Sequence, residues 1–368
     1  MSTTERKKLP WTAEPYQPGD RQPILDLIRS YYGDIETANG AFFDWQYFAN
    51  PSGPVVLWLA HDPEGRIVGQ HVLLPMRFLV DGEEATGCLS FNALVDPRYH
   101  GQGIWTGLGR KAHEEAATRG LHLSYGIPNP NSHRPMTKDL EYRRPFDVPV
   151  LVKALDLGAA ARHVLGGWKG RIGELAGRIG GPILFPRRRP RPGAGGPTMF
   201  DRFDGAFDRL AGRSGRRYRL LLHRDAAHLN WRYVDCPTRE TRRWQVRAGN
   251  EVIGYAVLRV TDFRGIKLGV LLDYLVDDSA EARAAGVELL AHAEEAAREA
   301  GCPLLLTFCL DHTAEFGLLH RAGWKVGPAA LLPQPFPLLV RPLNWPASAP
   351  DMDTVRNWFL TTGDYDVF

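Results

Sequence analysis

Apolar and polar positions along this chain fall into two successions of elements with the same order. In the first half the pattern predicts a helix over 21–32, a β-meander over about 55–95 and a long helix over about 104–119. Leu108, Ala112, Glu115 and Ala116 set the helical period, and Gly120 stops it. The run Cys88-Leu-Ser-Phe-Asn-Ala-Leu-Val95 reads as the last strand of the meander. A short apolar strand, Leu121-His-Leu-Ser-Tyr-Gly-Ile127, follows the long helix, and a second short helix and a last strand close the half. The second half repeats the order: a meander over about 242–277, a helix over about 280–300 and the strand Pro303-Leu-Leu-Leu-Thr-Phe-Cys309. Antiparallel strands followed by strand-helix-strand imply an α/β fold of mixed character. Each half would be a mixed, mostly antiparallel sheet with helices on both faces.

The residues repeat as well as the pattern. Phe43-Asp-Trp-Gln-Tyr47 is echoed by Leu229-Asn-Trp-Arg-Tyr233, and Arg66-Ile-Val-Gly-Gln-His-Val-Leu73 by Glu251-Val-Ile-Gly-Tyr-Ala-Val-Leu258. Asn92-Ala-Leu-Val-Asp96 returns as Asp273-Tyr-Leu-Val-Asp277, and Glu114-Glu-Ala-Ala117 as Glu294-Glu-Ala-Ala297. Matches in constant order argue for a duplicated fold, with a first domain over 1–156, an insert over 157–216, a second domain over 217–343 and a tail over 344–368. Repetition of Trp45 and Trp231 suggests a shared packing role. In the insert, Val164, Leu165, Trp168, Ile172, Leu175 and Ile179 form a helical stripe, with Arg162, Lys169, Arg171 and Arg178 off it. Such a helix suits an acyl-channel cover, a membrane surface or an acidic carrier protein. The favoured expectation is an interdomain helix that buries its stripe. Residues 185–197, rich in Pro, Arg and Gly, read as an exposed linker, and a further short helix is expected at 203–211.

Composition narrows the class. Hydrophobic content is 44% and charged content 24%, values of an ordinary globular protein. The net charge of +3 is too small to imply nucleic acid as a partner. No apolar run is long enough for a bilayer, and Met1–Lys8 lacks the apolar stretch of a signal peptide, so a cytoplasmic location is expected. Cys88, Cys236, Cys302 and Cys309 lack metal-ligand spacing; buried thiols and no metal are expected.

Chemistry enters at Asp96-Pro-Arg-Tyr-His-Gly-Gln-Gly-Ile104. A strand that runs through a glycine turn into a helix presents backbone N–H groups at a helix N-terminus, an anion site. Arg98-Tyr-His-Gly-Gln-Gly103 resembles the [Arg/Gln]-x-x-Gly-x-[Gly/Ala] signature of the GCN5-related N-acetyltransferase (GNAT) superfamily. A Gly69 turn in the meander is similar too, as is Pro128-Asn-Pro-Asn-Ser-His-Arg-Pro-Met-Thr-Lys-Asp-Leu-Glu-Tyr142 to the family's next motif. The chain resembles two-domain bacterial GNAT proteins of polysaccharide or natural-product gene clusters. The Asn-Trp-Arg-Tyr element and Trp358-Phe-Leu-Thr-Thr-Gly-Asp-Tyr-Asp366 carry that narrower likeness.

The resemblance implies an acyl donor, coenzyme A thioester or the phosphopantetheine thioester of an acyl-carrier protein. Its contacts would come from Phe91, Asn92, Ala93, Leu94 and Val95, from Arg98, His100, Gly101, Gln102, Gly103, Ile104, Trp105 and Thr106, and from Asn129 and Ser132. A backbone N–H near Phe91–Ala93 would stabilise the oxyanion. His133, Asp96 and Glu84 are the acid–base candidates. His100 and Trp105 depart from common family residues, and Met136 stands near the place of a frequent tyrosine. The second half replaces the glycine loop by Asp277-Asp-Ser-Ala-Glu-Ala-Arg283, whose carboxylates repel phosphate. One donor site per chain is therefore expected. The second half would supply acceptor contacts through Asp273 and Tyr274. The leading function is transfer of an acyl group to an amine of a sugar or peptide natural product. The alternatives are a Fem-like transferase that uses aminoacyl-tRNA and a non-catalytic acyl-CoA-binding module.

Overall fold

The computed structural model describes residues 9–165, 167–190, 196–263 and 265–365. The side chains of Val164, Leu165, Trp168 and Ile172 lie outside the described residues, as do Met1–Lys8, Asp366 and residues 191–195 of the linker. Two compact units form. The first comprises the described residues up to Phe78, then Ala85–Arg144 and Leu338–Ala349; the second comprises Leu79–Glu84, Pro145–Pro337 and the described residues from Pro350 on.

In the first unit the sheet runs in the order Thr12–Pro15, Val56–His61, Ile67–Val80, Glu83–Val95, Leu123–Gly126, Pro337–Pro342, Arg143–Asp147. Glu83–Val95 and Leu123–Gly126 are parallel; Leu123–Gly126 and Pro337–Pro342 are antiparallel. Helix Ile104–Thr118 spends its apolar face, Ile104, Leu108, Ala112 and Ala116, on this sheet. Strand Ile67–Val80 is buried along almost its whole length rather than at alternate residues, the pattern of a strand covered on both faces. Gly69 lies inside this strand and not in a turn, which corrects the sequence expectation. A Cβ there would stand 2.9 Å from Ile104 Cγ2 and 3.3 Å from the Leu94 carbonyl. The glycine is needed to seat the helix.

The second unit has the sheet order Lys325–Val326, Val150–Ala154, Leu304–Phe308, Ile266–Val276, Glu251–Phe263, Arg242–Ala248, Thr198–Met199. Gly254 repeats the role of Gly69: its Cβ would meet Val276 at 3.1 Å and Leu289 of helix Ala280–Glu299 at 3.3 Å. Trp231 is buried here, as Trp45 is in the first unit.

The units are not contiguous along the chain. Val150–Ala154 follows the first repeat but pairs antiparallel with Leu304–Phe308 of the second sheet. Pro337–Pro342 follows the second repeat and pairs with Leu123–Gly126 of the first. Each sheet thus takes in a strand from the other repeat. An apolar strand pattern specifies which face is buried, not which of two equivalent sheets receives it.

The insert is two helices, Leu157–Leu165 and Gly167–Leu184, followed by Gly205–Gly215. Leu175 and Ile179 are exposed, against the expectation of a buried stripe. Part of the arginine run is tied down: Arg187 pairs with Glu295 at 2.8 Å and Arg188 donates to the Arg321 carbonyl. No helix among the described residues is long and apolar enough to cross a membrane.

Candidate active site

The site is built where two parallel strands part. Glu83–Val95 is in register with Leu123–Gly126 at Cys88–Ser124 and Leu89–Tyr125, and it continues to Val95 beyond that pairing. Asn92 lies in this extension with φ +45°. Asparagine is among the few L residues that tolerate the left-handed region, and such conformations cost about 1–3 kcal/mol unless their surroundings impose them. Here they do. Gln70 Nε2 donates to the Asn92 carbonyl at 2.8 Å and to Tyr47 Oη at 3.3 Å. Asn92 Nδ2 donates to Gln46 Oε1 at 3.2 Å and to Tyr47 Oη at 3.4 Å. Tyr47 is held by stacking on Phe43, 4.1 Å between ring centroids, and by an edge contact with Phe91. The aromatic helix Gly40–Phe48 thus clamps the irregular strand.

The glycine loop follows at once. Asp96 accepts from Arg98 N–H and pairs with the Arg98 guanidinium at 2.6 Å, closing the turn Pro97–Tyr99. His100 Nε2 lies 3.0 Å from the Val95 carbonyl. Gly101 and Gly103 have φ +82° and +76°. Gly103 is the N-cap of Ile104–Thr118, and no side chain caps that helix. Its first N–H groups are therefore open to an external anion. A Cβ on Gly103 would meet no protein atom within 4 Å, so packing leaves the space above the loop clear. Trp11 Nε1 donates to the Gln102 carbonyl, and Gln102 Oε1 accepts from Leu9 N–H. The Trp11 ring also lies 2.7 Å from where a Gly107 Cβ would be. Sequence reading missed this brace, whose signal was an isolated Trp near the chain start.

Chain continuity brings together Phe91, Asn92, Ala93, Leu94 and Val95 with Arg98, His100, Gly101, Gln102, Gly103, Ile104, Trp105 and Thr106. Only backbone is on offer at Ile104, whose side chain is buried behind Gly69. Trp105 packs edge-on to His71 at 5.2 Å. Asn129 caps helix Pro130–Asp139, its Oδ1 accepting from Asn131 and Ser132 N–H. His133 is half-buried on that helix, and its Nε2 is buried with no hydrogen-bond partner among the described residues.

Two acid–base candidates are placed elsewhere. Asp96 is used up as a turn cap, and the Arg98 hydrogen bonds hold its carboxyl below the usual range, the wrong direction for a base. Glu84 lies exposed at the far end of the strand from Val95, beside the Asp81–Gly82 turn. Val95 is eleven positions further along the strand, about 36 Å away. The structure does not bring it to the loop.

A buried polar chain also escaped the sequence reading. His113 Nδ1 donates to the Gly109 carbonyl at 2.6 Å, which leaves Nε2 to accept from Tyr142 Oη–H at 2.7 Å. Tyr142 Oη in turn accepts from Ser124 Oγ at 2.5 Å, at the pairing where the strands part. His71 lies beside His113, 5.9 Å between centroids, with no partner for either ring nitrogen among the described residues. The signal was there: Gln70-His71 breaks an otherwise apolar run from Ile67 to Met76. Burial lowers the His71 pKa to about 3, with His113 adding to the effect, and lowers His113 to about 4. Both folded values lie below the unfolded value of about 6.5. The unfolded chain therefore binds these protons first, and stability falls as pH drops below about 6.5. From pH 6.5 to 5.5 the pair should cost about 2 kcal/mol. Urea unfolding at the two pH values checks this, and equal stabilities would contradict it.

The second unit treats the matching positions differently. Ser279 caps Ala280–Glu299 by accepting from Ala282 N–H, so the helix start is already satisfied. Asp277 pairs with Arg213 at 2.6 Å and Asp278 with Arg283 at 2.9 Å. Asp273 replaces Asn92 and is only 1% exposed. Its oxygens accept from Arg224 Nε, Tyr233 Oη and Tyr255 Oη, and Arg224 also pairs with Asp364 at 2.8 Å. Tyr274 is buried as well. Neither residue presents its side chain to solvent, so the expected acceptor contacts are interior groups instead. Among the described residues no cluster has the make-up of a metal site.

Comparison with known proteins agrees with this geometry. Residues 12–144 match the model of a GNAT acetyltransferase domain, and residues 214–324 match the GNAT acetyltransferase family. No curated protein matches the chain. Among solved structures, a GCN5-related N-acetyltransferase from Anabaena variabilis superposes with a TM-score of 0.62 at 11% identity, covering 91% of this chain and 73% of that one. Saccharomyces cerevisiae N-myristoyltransferase with bound myristoyl-CoA gives 0.60 at 12% identity, covering 91% and 80%. A GCN5-related N-acetyltransferase from Kribbella flavida gives 0.57 at 13%, covering 92% and 72%.

Proposed function

This chain belongs to the GNAT superfamily as a tandem-domain N-acyltransferase, and from that premise we propose that its first unit alone holds the donor, a coenzyme A thioester. The carrying observation is the contrast between the two helix starts. Gly103 leaves N–H groups uncapped beneath clear space, whereas Ser279 caps its own helix behind Asp277 and Asp278. Diphosphate would rest on the N–H groups of Gly101 to Thr106. The pantetheine arm would enter between the parting strands, with the thioester near Asn92. The clamped backbone at Phe91–Ala93 offers an N–H to the developing oxyanion. The bound myristoyl-CoA of the yeast neighbour favours coenzyme A over a carrier-protein donor.

The acceptor is an amine, of a sugar or peptide natural product in our reading. It must shed a proton before its lone pair attacks; the C–N bond then forms, the C–S bond breaks, and the leaving thiolate takes up the second proton that the nitrogen loses on becoming an amide. His133 is the proposed base, because its Nε2 has no hydrogen-bond partner among the described residues and its helix, Pro130–Asp139, follows the strand that parts from the donor strand. His133→Ala should lower kcat about 100-fold while donor affinity holds. Unchanged kcat would remove His133 from the reaction. The reading as a whole is tested by thiol release from acyl-CoA in the presence of an amine pool. Coenzyme A binding without release for any amine would favour a binding module. Transfer from aminoacyl-tRNA alone would favour the Fem-like alternative.

A further inference from the structure

The helix pair of the insert is packed inside out. Helix Gly167–Leu184, about 27 Å long, meets Leu157–Leu165 through glycines. A Cβ on Gly170 would stand 2.7 Å from the Arg162 carbonyl, one on Gly177 2.7 Å from Gly158 N, and one on Gly158 2.8 Å from the Glu174 carbonyl. The small residues thus face the partner helix at backbone contact. Large apolar side chains among the described residues face solvent: Leu175 is 64% exposed, Ile179 71% and Ile183 80%. A helix meant for water has the reverse arrangement. Close packing through small residues with apolar side chains outward is the arrangement of helices that meet lipid.

Charge adds a second constraint. Between 157 and 190 there are seven Lys and Arg residues and a single acid, Glu174. Glu174 is already paired with both Arg162 and Arg178. Arg171 heads the row Arg171, Leu175, Ile179, Ile183, spaced four residues apart, and it is exposed with no ion-pair partner among the described residues. A second copy of this surface would bring like charges together. An acidic carrier protein would answer the charge and leave the aliphatic row to find its own cover. An anionic lipid bilayer answers both, with the row at the acyl boundary and the arginines among the headgroups.

We propose that the Gly167–Leu184 helix lies in the surface of an anionic bilayer and docks the enzyme there. It lies on the membrane rather than through it, since no helix among the described residues is long and apolar enough to cross. The proposal is independent of which amine the enzyme acylates.

The test is flotation of the full chain with phosphatidylcholine vesicles, with and without phosphatidylglycerol. Binding is expected to the mixed vesicles, to be weaker to phosphatidylcholine alone, and to fall with added salt. Ile179→Glu should lower the vesicle partition coefficient about ten-fold or more, the factor one lost buried aliphatic side chain corresponds to. Its melting temperature and thiol release in solution should match those of the parent. Ile183→Gln is the milder second variant, and Arg171→Glu should remove the preference for anionic lipid. Absence of binding to the mixed vesicles would overturn the proposal. So would equal binding by Ile179→Glu and Ile183→Gln, or a dimer that Ile179→Glu dissociates without any vesicle binding.

Discussion

Gly103→Val should weaken coenzyme A binding by about 1,000-fold and leave the protein folded. Two causes act together. At φ +76° a β-branched residue is strained, so the turn into Ile104–Thr118 would re-form with its N–H groups turned away. The new side chain would also fill the clear space above the loop, in which no protein atom lies within 4 Å of a Cβ. Two charge-assisted hydrogen bonds lost at about 1.5–3 kcal/mol each account for the factor. Gly103→Asn separates the causes. Asparagine accepts the left-handed conformation but still carries a Cβ. Donor binding lost in Val and kept in Asn would assign the glycine to the turn; loss in both would assign it to close approach of the phosphate. Calorimetry should give one donor per chain, unchanged in Asp278→Ala, since Ser279 already satisfies the second helix start. Two donors per chain, or undiminished binding in Gly103→Val, would refute the division between the units.

Asp273→Ala should destabilise the protein by about 3–5 kcal/mol and leave the acceptor KM alone. Removing one member of a buried ion pair strands its partner in a low-dielectric site. Here the stranded groups are Arg224, with Asp364 as its remaining carboxylate, and the hydroxyls of Tyr233 and Tyr255. Asp273→Asn should cost less, because the amide oxygen still accepts from the tyrosines. The matching positions of the first unit are wired the other way: Asn92 Nδ2 donates to Tyr47 Oη and Gln70 Nε2 donates to the Asn92 backbone carbonyl, where Asp273 accepts from Tyr233 and Tyr255. Urea unfolding and acceptor kinetics on both variants check this. A raised acceptor KM in a normally stable Asp273→Ala protein would restore Asp273 to the substrate.

The duplication explains why these two networks are comparable and why their roles were hard to read. Matching residues at Tyr47 and Tyr233, Gly69 and Gly254, and Asn92 and Asp273 identify equivalent places in the fold. They do not tell whether a place is open or filled. Asp273 was expected at a strand end facing substrate because its half lacks the phosphate loop. Arg224 and Asp364, distant in sequence, enclose it instead.

Sequence by itself determined what depends on neighbours along the chain. Apolar period set the elements: helix Arg21–Tyr32 and helix Ala280–Glu299 begin and end within a residue or so of expectation. The glycines of Arg98–Gly103 marked the strand-to-helix turn, because a left-handed φ is a local demand that glycine meets best. Tertiary structure decided what depends on which surfaces meet. It placed Val150–Ala154 and Pro337–Pro342 in each other's expected sheets, since two similar apolar strands fit either sheet by pattern alone. It buried Gln70 and His71, which became interior groups only once both faces of their strand were covered. It also turned Leu175 and Ile179 outward, because the glycines of their helix allow a closer backbone contact than any larger side chain would.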